Sequence, residues 1–273
     1  MISRLAALLS LLVLAACAGG PKAAEPPPAV PGYESVEDGG FVIQAVDARY
    51  LSGNMPRQEV DFTGDDKPGT IVVDPHFRKL YWVMEGGRAM RYSIAVGRSG
   101  LGFRGSAVVG RKAEWPNWQP TANMIRTFPE FYAEYAGGLP GGLENPLGAR
   151  ALYLYRGKRD TYFRIHGTVD VRSIGRATSA GCIRLFNQDI IDLYNRVPNG
   201  TRVRVRSLEE SERLEGKWME DEYGLLIPYD ESRIEEIKQK KAELEAQKAA
   251  EEAAAAAAEQ TATAGTDAAA QQG

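Results

Sequence analysis

Short runs of alternating apolar and polar residues fill the middle of the chain, from about residue 69 to 207. This period of two is typical of β-strands that lie half-buried in a sheet. Two runs flank the turn-prone residues 75–78 and predict a hairpin. The strands predicted from this pattern lie at residues 70–74, 79–83, 90–96, 108–112, 149–155, 161–165 and 201–206. The pattern therefore predicts a mainly β domain, a sandwich or a barrel-like sheet.

A change of period near the end of this stretch predicts a short helix. Residues 183–194 are predicted to begin a helix directly after Cys182, and apolar residues at helical spacing occupy residues 187–196. The alternating closing strand carries Arg202, Arg204 and Arg206, which we interpret as a solvated face rather than a site for an anionic polymer.

Residues 114–148 interrupt the strand pattern with a long segment that is rich in aromatic residues, proline and glycine. A long loop inside a compact domain is usually a lid or a binding loop. It could equally cover the core with its tryptophans, and both interpretations can hold together.

The two ends of the chain lack the composition of a folded core. Arg4 and the apolar residues 5–14 are typical of a secretory signal, here residues 1–16, and the apolar run is too short to span a bilayer. Residues 17–68 are predicted to be a tether followed by an N-terminal segment of unassigned function. Residues 208–260 are predicted to form a charged helical tail, and residues 261–273 to be disordered.

Composition excludes several classes of function. The chain has 273 residues and a net charge of −3, so nothing indicates a nucleic-acid partner. It has two cysteines, one of them Cys17 in the leader, which excludes a disulfide framework and a cysteine-rich zinc site. Two histidines are too few for a typical histidine-rich zinc site. We therefore expect no metal and no cofactor.

The candidate chemistry lies in residues 165–185. Cys182 follows His166 by sixteen positions (182 − 166), after a polar, glycine-containing segment that reads as a loop. A histidine can take the proton of a cysteine and so create a nucleophile. A turn of small residues before a helix would expose Cys182 to the positive end of the helix dipole and favour thiolate. Asp170 and Asp189 are candidates to orient the histidine. The alternative is a structural cysteine and a core histidine.

The whole string resembles the signature of the L,D-transpeptidase (YkuD) catalytic domain, in which His-Gly-Thr precedes Ser-x-Gly-Cys-Ile/Val-Arg. The matching residues are His166, Gly167, Thr168, Ser179, Gly181, Cys182, Ile183 and Arg184. Ala180 departs from the pattern, since the family usually has His, Lys or Arg there. The segments at 115–121, 140–142 and 145–152 also resemble the subgroup named ErfK/YbiS/YcfS/YnhG.

The resemblance implies a β-rich catalytic domain over residues 69–207 that acts on peptidoglycan stem peptides. Cys182 would attack the carbonyl between diaminopimelate and the terminal D-Ala, with His166 as the proton acceptor and donor. A backbone carbonyl near Gly167 would orient the histidine. The N–H groups of Gly181 and Cys182 would hold the oxyanion, and Ser179 would shape the turn. Residues expected to contact the substrate are Arg184 and Thr168.

The acceptor of the acyl group stays open. Diaminopimelate of another stem would give a 3–3 cross-link, and a lysine would attach an outer-membrane protein to the wall. Water would make the protein a carboxypeptidase, and cutting an existing protein–wall bond would make it an amidase. The rival from another class is a non-catalytic lipoprotein that only binds peptidoglycan.

The leader adds an expectation about location. Residues 14–17, Leu-Ala-Ala-Cys, resemble the bacterial lipobox, which implies cleavage before Cys17 and lipidation of that residue. Ala18 then favours the outer membrane of a Gram-negative bacterium over retention in the inner membrane. We therefore expect a periplasmic protein that is held on the membrane through lipid.

Overall fold

A mixed β-sheet forms the body of the protein. The computed structural model describes residues 30–97, 103–178 and 182–270. The β-strands of this part of the chain are β1 (Val36–Asp38), β2 (Phe41–Ile43), β3 (Gln58–Asp61), β4 (Ile71–Asp74), β5 (Lys79–Met84), β6 (Arg88–Ser93), β7 (Ala95–Gly97), β8 (Ser106–Glu114), β9 (Arg150–Arg156), β10 (Arg159–His166), β11 (Ala177–Thr178), β12 (Ile183–Arg184), β13 (Arg202–Val205), β14 (Trp218–Glu220) and β15 (Leu226–Pro228). The α-helices are α1 (Ala122–Thr127), α2 (Pro129–Tyr132), α3 (Asn187–Arg196), α4 (Leu208–Glu215) and α5 (Ile234–Ala270).

Within the described residues, eleven strands join in the order β11-β7-β12-β10-β9-β8-β13-β4-β5-β6-β3. The pairs β10/β12, β11/β7 and β13/β4 are parallel, and the others are antiparallel. The predicted hairpin is confirmed, because β4 and β5 pair in antiparallel register around the turn at 75–78. The mainly β fold is therefore confirmed, in the form of one large mixed sheet.

The core lies on one face of this sheet, where α3 covers β9. Ile165, Ile183 and Leu152 face the core from neighbouring strands, and Ile190 and Leu193 meet them from the helix. All five side chains are almost fully buried. The predicted helix at 187–196 is confirmed, since its apolar stripe packs on the sheet.

The N-terminal segment packs against the sheet rather than standing apart from it. Tyr33, Val46 and Leu51 form a second apolar cluster with residues of β7, the 167–178 loop and the start of α3. Asp38 binds both terminal nitrogens of Arg150 at 2.7 Å. Residues 30–66 therefore brace the elements that lead to the candidate site.

The C-terminal tail differs from the predicted charged helix. Residues 208–228 form α4 and the β14–β15 hairpin, which docks through the packing of Trp218 on Phe77. The last helix, α5, extends to Ala270, where disorder was predicted from residue 261. Alanine has the highest helix propensity, and it is the most frequent residue in 261–273. Across the described part of the chain, no helix has the length and apolar character to cross a membrane.

Candidate active site

His166 and Cys182 belong to neighbouring parallel strands. His166 is the last residue of β10, and Cys182 immediately precedes β12. Ile165 pairs with Ile183 and His166 pairs with Arg184. Because side chains alternate along a strand and the two isoleucines face the core, His166, Cys182 and Arg184 share the opposite face of the sheet. The sheet therefore brings together the two residues that the sequence singled out.

A backbone carbonyl orients the imidazole of His166. The Nδ1 atom lies 2.6 Å from the carbonyl oxygen of Gly167, as the family resemblance implied. A neutral imidazole has one N–H, so this bond places the proton on Nδ1 and leaves Nε2 as the basic atom. The two carboxylates considered from the sequence have other partners. Asp189 pairs with Arg57 at 2.9 Å, and Asp170 lies 3.5 Å from Arg172.

Burial keeps both members of the pair neutral. It lowers the pKa of His166 to about 4, and it raises the pKa of the Cys182 thiol above its ordinary value. A backbone hydrogen bond at Arg164 and the charges of Arg164 and Arg184 oppose the shift of the thiol. The resting state is thus a thiol beside a neutral imidazole base.

The expectation that a helix dipole stabilises the Cys182 thiolate is wrong. Cys182 leads into the two-residue strand β12, which is held between β10 and β7, and α3 begins only at Asn187. The dipole acts within the first turn of a helix, so it does not favour thiolate here. Sequence reasoning joined Ile183 to the helix because a strand of two residues leaves no periodic signal.

Gly167 is a glycine because of a close approach to α3. A Cβ atom on Gly167 would lie 2.1 Å from Oδ1 of Asn187 and 3.0 Å from a methyl carbon of Ile190. The same Oδ1 accepts a hydrogen bond from the N–H of Ala149 at 2.9 Å. Asn187 therefore holds the start of α3 against Ala149, just before β9, and against Gly167, just after His166 at the end of β10. Sequence reasoning missed this residue, because its contacts are distant in the chain.

The two predicted substrate contacts differ in their surroundings. Thr168 is buried, and its Oγ1 accepts a hydrogen bond from the N–H of Asp170 at 3.1 Å, so it closes the turn after the histidine. Burial lowers the pKa of Arg184, while the nearby Asp170, Cys182 and Tyr132 act to raise it. Arg184 therefore lies within electrostatic reach of both the thiol and helix α2. The roles of these two residues in binding stay predictions.

The long segment 114–149 folds as an ordered cover with two short helices. Asn145 anchors it from the inside, since its amide nitrogen donates to the carbonyls of Pro116 and Pro140 at 3.0 and 2.9 Å. The backbones of Trp118 and Leu139 exchange two hydrogen bonds. Tyr132 acts electrostatically on Arg184, so helix α2 of this segment lies near that residue. The segment therefore both packs on the domain and borders the candidate site.

Three of the predicted site residues lie outside the described residues: Ser179, Gly181 and Cys17. The oxyanion site, the turn before the thiol and the lipidation site therefore stay predictions. Among the residues that the structure does describe, no group of three or more His, Cys, Asp or Glu side chains is placed to hold a metal ion.

Comparisons with known proteins converge on one family. The model of the YkuD L,D-transpeptidase catalytic domain matches residues 68–205. A putative L,D-transpeptidase of Fuscovulum blasticum, from its ATP synthase subunits region, is 40% identical over 137 residues, which are 50% of this chain and 68% of that protein. The probable L,D-transpeptidase ErfK/SrfK of Escherichia coli is 34% identical over 141 residues, 51% of this chain and 44% of that relative.

A solved structure from Brucella melitensis, titled a probable carnitine operon oxidoreductase, is 50% identical, with a TM-score of 0.41 over 55% of this chain and 93% of that one. The chain spans less than half the length of the Escherichia coli relative. The family match itself covers half of the chain and includes both His166 and Cys182. The chain therefore belongs to the YkuD family of L,D-transpeptidase catalytic domains.

Proposed function

We propose that this protein is a cysteine L,D-transpeptidase that acts on tetrapeptide stems of peptidoglycan through a thioester acyl-enzyme. The observation that carries the proposal is the placement of His166 and Cys182 on one sheet face, with the Nδ1 proton of the histidine held by Gly167. The imidazole of His166 is neutral and is oriented by Gly167. The half-buried Cys182 lies just before the adjoining strand.

The first half of the reaction transfers the acyl group to the enzyme. Nε2 of His166 takes the Sγ proton of Cys182 as sulfur attacks the carbonyl carbon of the diaminopimelate residue. When the tetrahedral intermediate collapses, the C–N bond to D-Ala breaks and the imidazolium gives its proton to the leaving amine. The products of this half are a thioester on Cys182, free D-Ala and a neutral imidazole.

The second half returns the enzyme to its starting state. His166 takes a proton from the acceptor amine as that amine attacks the thioester carbonyl. The C–S bond then breaks, and the imidazolium reprotonates the sulfur of Cys182. The N–H groups of Gly181 and Cys182 would stabilise the oxyanion in both halves, with Ser179 supporting the turn.

Burial sets the energetics of the first step. Since the thiol has a raised pKa and the imidazole a lowered one, proton transfer between them is unfavourable before substrate arrives. The charges of Arg164 and Arg184 lower the pKa of both groups, so they favour the thiolate but oppose the imidazolium. We propose that the oxyanion donors lower the cost of the step once the carbonyl is in place. Such donors contribute most in a site from which water is excluded.

The acceptor is proposed to be an amine, either of a second stem, giving a 3–3 cross-link, or of a lysine in an outer-membrane protein. The test incubates the protein without residues 1–17, and its Cys182→Ala variant, with diaminopimelate-type sacculi, followed by mass spectrometry of muropeptides. We expect 3–3 dimers with the unaltered thiol and none with the variant. Tripeptides alone would indicate a carboxypeptidase, and released wall-linked protein an amidase. No change would favour either a protein acceptor that the assay lacks or the non-catalytic peptidoglycan binder.

We further propose that the protein is a periplasmic lipoprotein anchored in the outer membrane through Cys17. The support is the leader of the sequence, with its single arginine, apolar run and lipobox-like residues 14–17. Expression of a Cys17→Ala variant followed by membrane fractionation tests the anchor. We expect the variant to leave the membrane fraction, and its continued partition with membranes would contradict the proposal.

A further inference from the structure

A row of side chains crosses the sheet from the thiol outward. Arg111 on β8 pairs with Tyr153 on β9, and Tyr153 pairs with Arg164 on β10. Cys182 lies one residue before Ile183 in the parallel register with β10, which places it next to Arg164. These four residues therefore lie side by side on adjacent strands and face away from the core.

Stacking on one aromatic ring holds the two arginines. The guanidinium carbon of Arg111 lies 3.5 Å from the centre of the Tyr153 ring, and that of Arg164 lies 4.4 Å from the same centre. Tyr153 is only 6% exposed, while Arg111 is exposed. A cation on a tyrosine face is attracted by the negative face of the ring. The ring thus fixes an outward-facing guanidinium at a defined place.

The two arginines differ in what they bind. Arg164 is committed to Asp160, which it contacts with two nitrogens at 2.7 and 2.8 Å. Among the described residues, the guanidinium of Arg111 makes no hydrogen bond or ion pair. An arginine has five N–H donors in a planar fork that matches a carboxylate. Within the described part of the chain, Arg111 therefore presents a carboxylate-binding group that no acidic side chain occupies.

The spacing fits a peptide that reacts at Cys182. Adjacent strands are about 4.8 Å apart, so the three steps from Cys182 to Arg111 span roughly 14 Å between Cα atoms. An extended chain advances about 3.3–3.6 Å per residue. The arginine side chain reaches back toward the thiol, so its guanidinium lies two to four residues from the reacting carbonyl.

We propose that Arg111, stacked on Tyr153, binds a carboxylate of the donor peptide that lies on the N-terminal side of the reacting carbonyl. This inference rests on the proposed function and deepens it, because it identifies what selects the donor. Arg111 is a specificity-determining residue, and Tyr153 and Arg164 are positioning residues. Donors whose carboxylate is amidated lose the partner of the guanidinium and bind less tightly.

The test compares two donor tetrapeptides that differ only in this carboxylate, free in one and amidated in the other. Binding is measured by calorimetry at low ionic strength on the Cys182→Ala protein, with and without Arg111→Gln. We expect Arg111→Gln to weaken the free-carboxylate donor about fivefold to tenfold and to leave the amidated donor unchanged. Arg111→Lys keeps the charge but loses the stacked, planar fork. Its affinity for the free-carboxylate donor should lie between that of the protein with Arg111 and that of Arg111→Gln.

Arg88→Gln is the control, since this half-exposed arginine lies on β6, four strands from β8 in the sheet. It should change neither donor. Turnover of both donors by the protein with its thiol intact separates the two proposals. If turnover occurs but Arg111→Gln weakens both donors equally or neither, the carboxylate site is wrong and the function stands. If the donor preference depends on Arg111 but no turnover occurs, the site stands and the proposed function fails.

Discussion

The Nδ1 atom of His166 lies 2.6 Å from the carbonyl oxygen of Gly167, so the proposed catalytic base is oriented by the residue that follows it. A carboxylate in this place would stabilise a charged imidazolium more strongly than the Gly167 carbonyl does. Burial, with the charges of Arg184 and Arg164, outweighs the hydrogen bond to Gly167 and lowers the pKa of His166 to about 4, so the ring is neutral. The neutral, oriented imidazole determines the expected pH dependence of the reaction, and its orientation depends on the packing around Gly167.

The pH profile of kcat/KM should report this shift. The base must be unprotonated, and the free protein loses that proton as pH rises through the pKa of about 4. We expect kcat/KM to rise with a midpoint near pH 4 and to be level by about pH 6. The pH dependence of donor binding to the Cys182→Ala protein serves as the control, because the carboxylates of the donor also titrate near this range. A midpoint near 6.5, the ordinary histidine value, would contradict the neutral buried base.

The thiol should alkylate slowly at neutral pH. Burial raises the pKa of Cys182, and only thiolate reacts with iodoacetamide. In protein that lacks residues 1–17, Cys182 is the single cysteine, so intact mass gives its modification directly. We expect the rate at pH 7 to be below that of a free cysteine peptide and to keep rising beyond pH 8.5. Faster alkylation than the peptide at pH 7 would mean a resting thiolate.

A methyl group at Gly167 should disturb both stability and reaction. Since its Cβ would lie 2.1 Å from Oδ1 of Asn187, Gly167→Ala forces the start of α3 or the carbonyl at 167 to move. We expect a loss of about 1–3 kcal/mol in the free energy of unfolding, as for other overpacked sites. The turnover number should fall by more than this destabilisation explains.

Thermal unfolding and steady-state kinetics measure the two effects. Gly137→Ala is the matched control, because a Cβ there meets no atom within 4 Å and Gly137 has no positive φ. If Gly167→Ala behaves like Gly137→Ala, the close approach to Asn187 does not hold the site.

Removal of Asn145 should loosen the cover beside the candidate site. Asn145→Ala leaves the buried carbonyl of Pro116 and the more exposed carbonyl of Pro140 without this donor, and it frees the buried N–H of Leu147. Each unsatisfied buried group costs roughly 1–3 kcal/mol. We expect a lower Tm and faster proteolytic cleavage within 114–149. Asn123→Ala, at an exposed position in α1, is the control, and equal cleavage of the two variants would show that Asn145 is not the anchor.

The N-terminal segment should be needed for folding. A chain that begins at residue 68, where the family match begins, would expose the face of Phe186 and Ile174 that Tyr33 and Leu51 cover. We expect it to unfold at lower temperature than a chain that begins at residue 30 and to bind hydrophobic dyes. Equal Tm values would show that residues 30–67 are a dispensable tether.

The elements of this fold that can be predicted from the sequence are those marked by a local period of apolar residues. The hairpin around residues 75–78 and the helix Asn187–Arg196 follow from patterns that neighbouring residues set among themselves. The pairing of β10 with β12 does not, because each strand pair depends on contacts distant in sequence.

Arg204 and Arg206 show the same limit on the closing strand. Alternation predicted a solvated face for them, but α4 returns over this face. Arg204 pairs with Asp66 and Glu210, and the fully buried Arg206 pairs with Glu215 at 2.6 Å. The alternation correctly predicted the strand, but it does not indicate that α4 covers it. Asn145 and Asn187 were missed for a similar reason, since their amides act on backbone far away in the chain.

The most direct test of the central claim is the intact mass of the protein after incubation with a tetrapeptide donor and no acceptor. A transpeptidase that uses Cys182 should gain the mass of the donor less D-Ala, and the modification should map to the peptide that contains Cys182. The Cys182→Ala variant should gain nothing. An adduct on that variant, or no adduct and no released D-Ala with a folded protein whose thiol still titrates, would contradict the thioester mechanism.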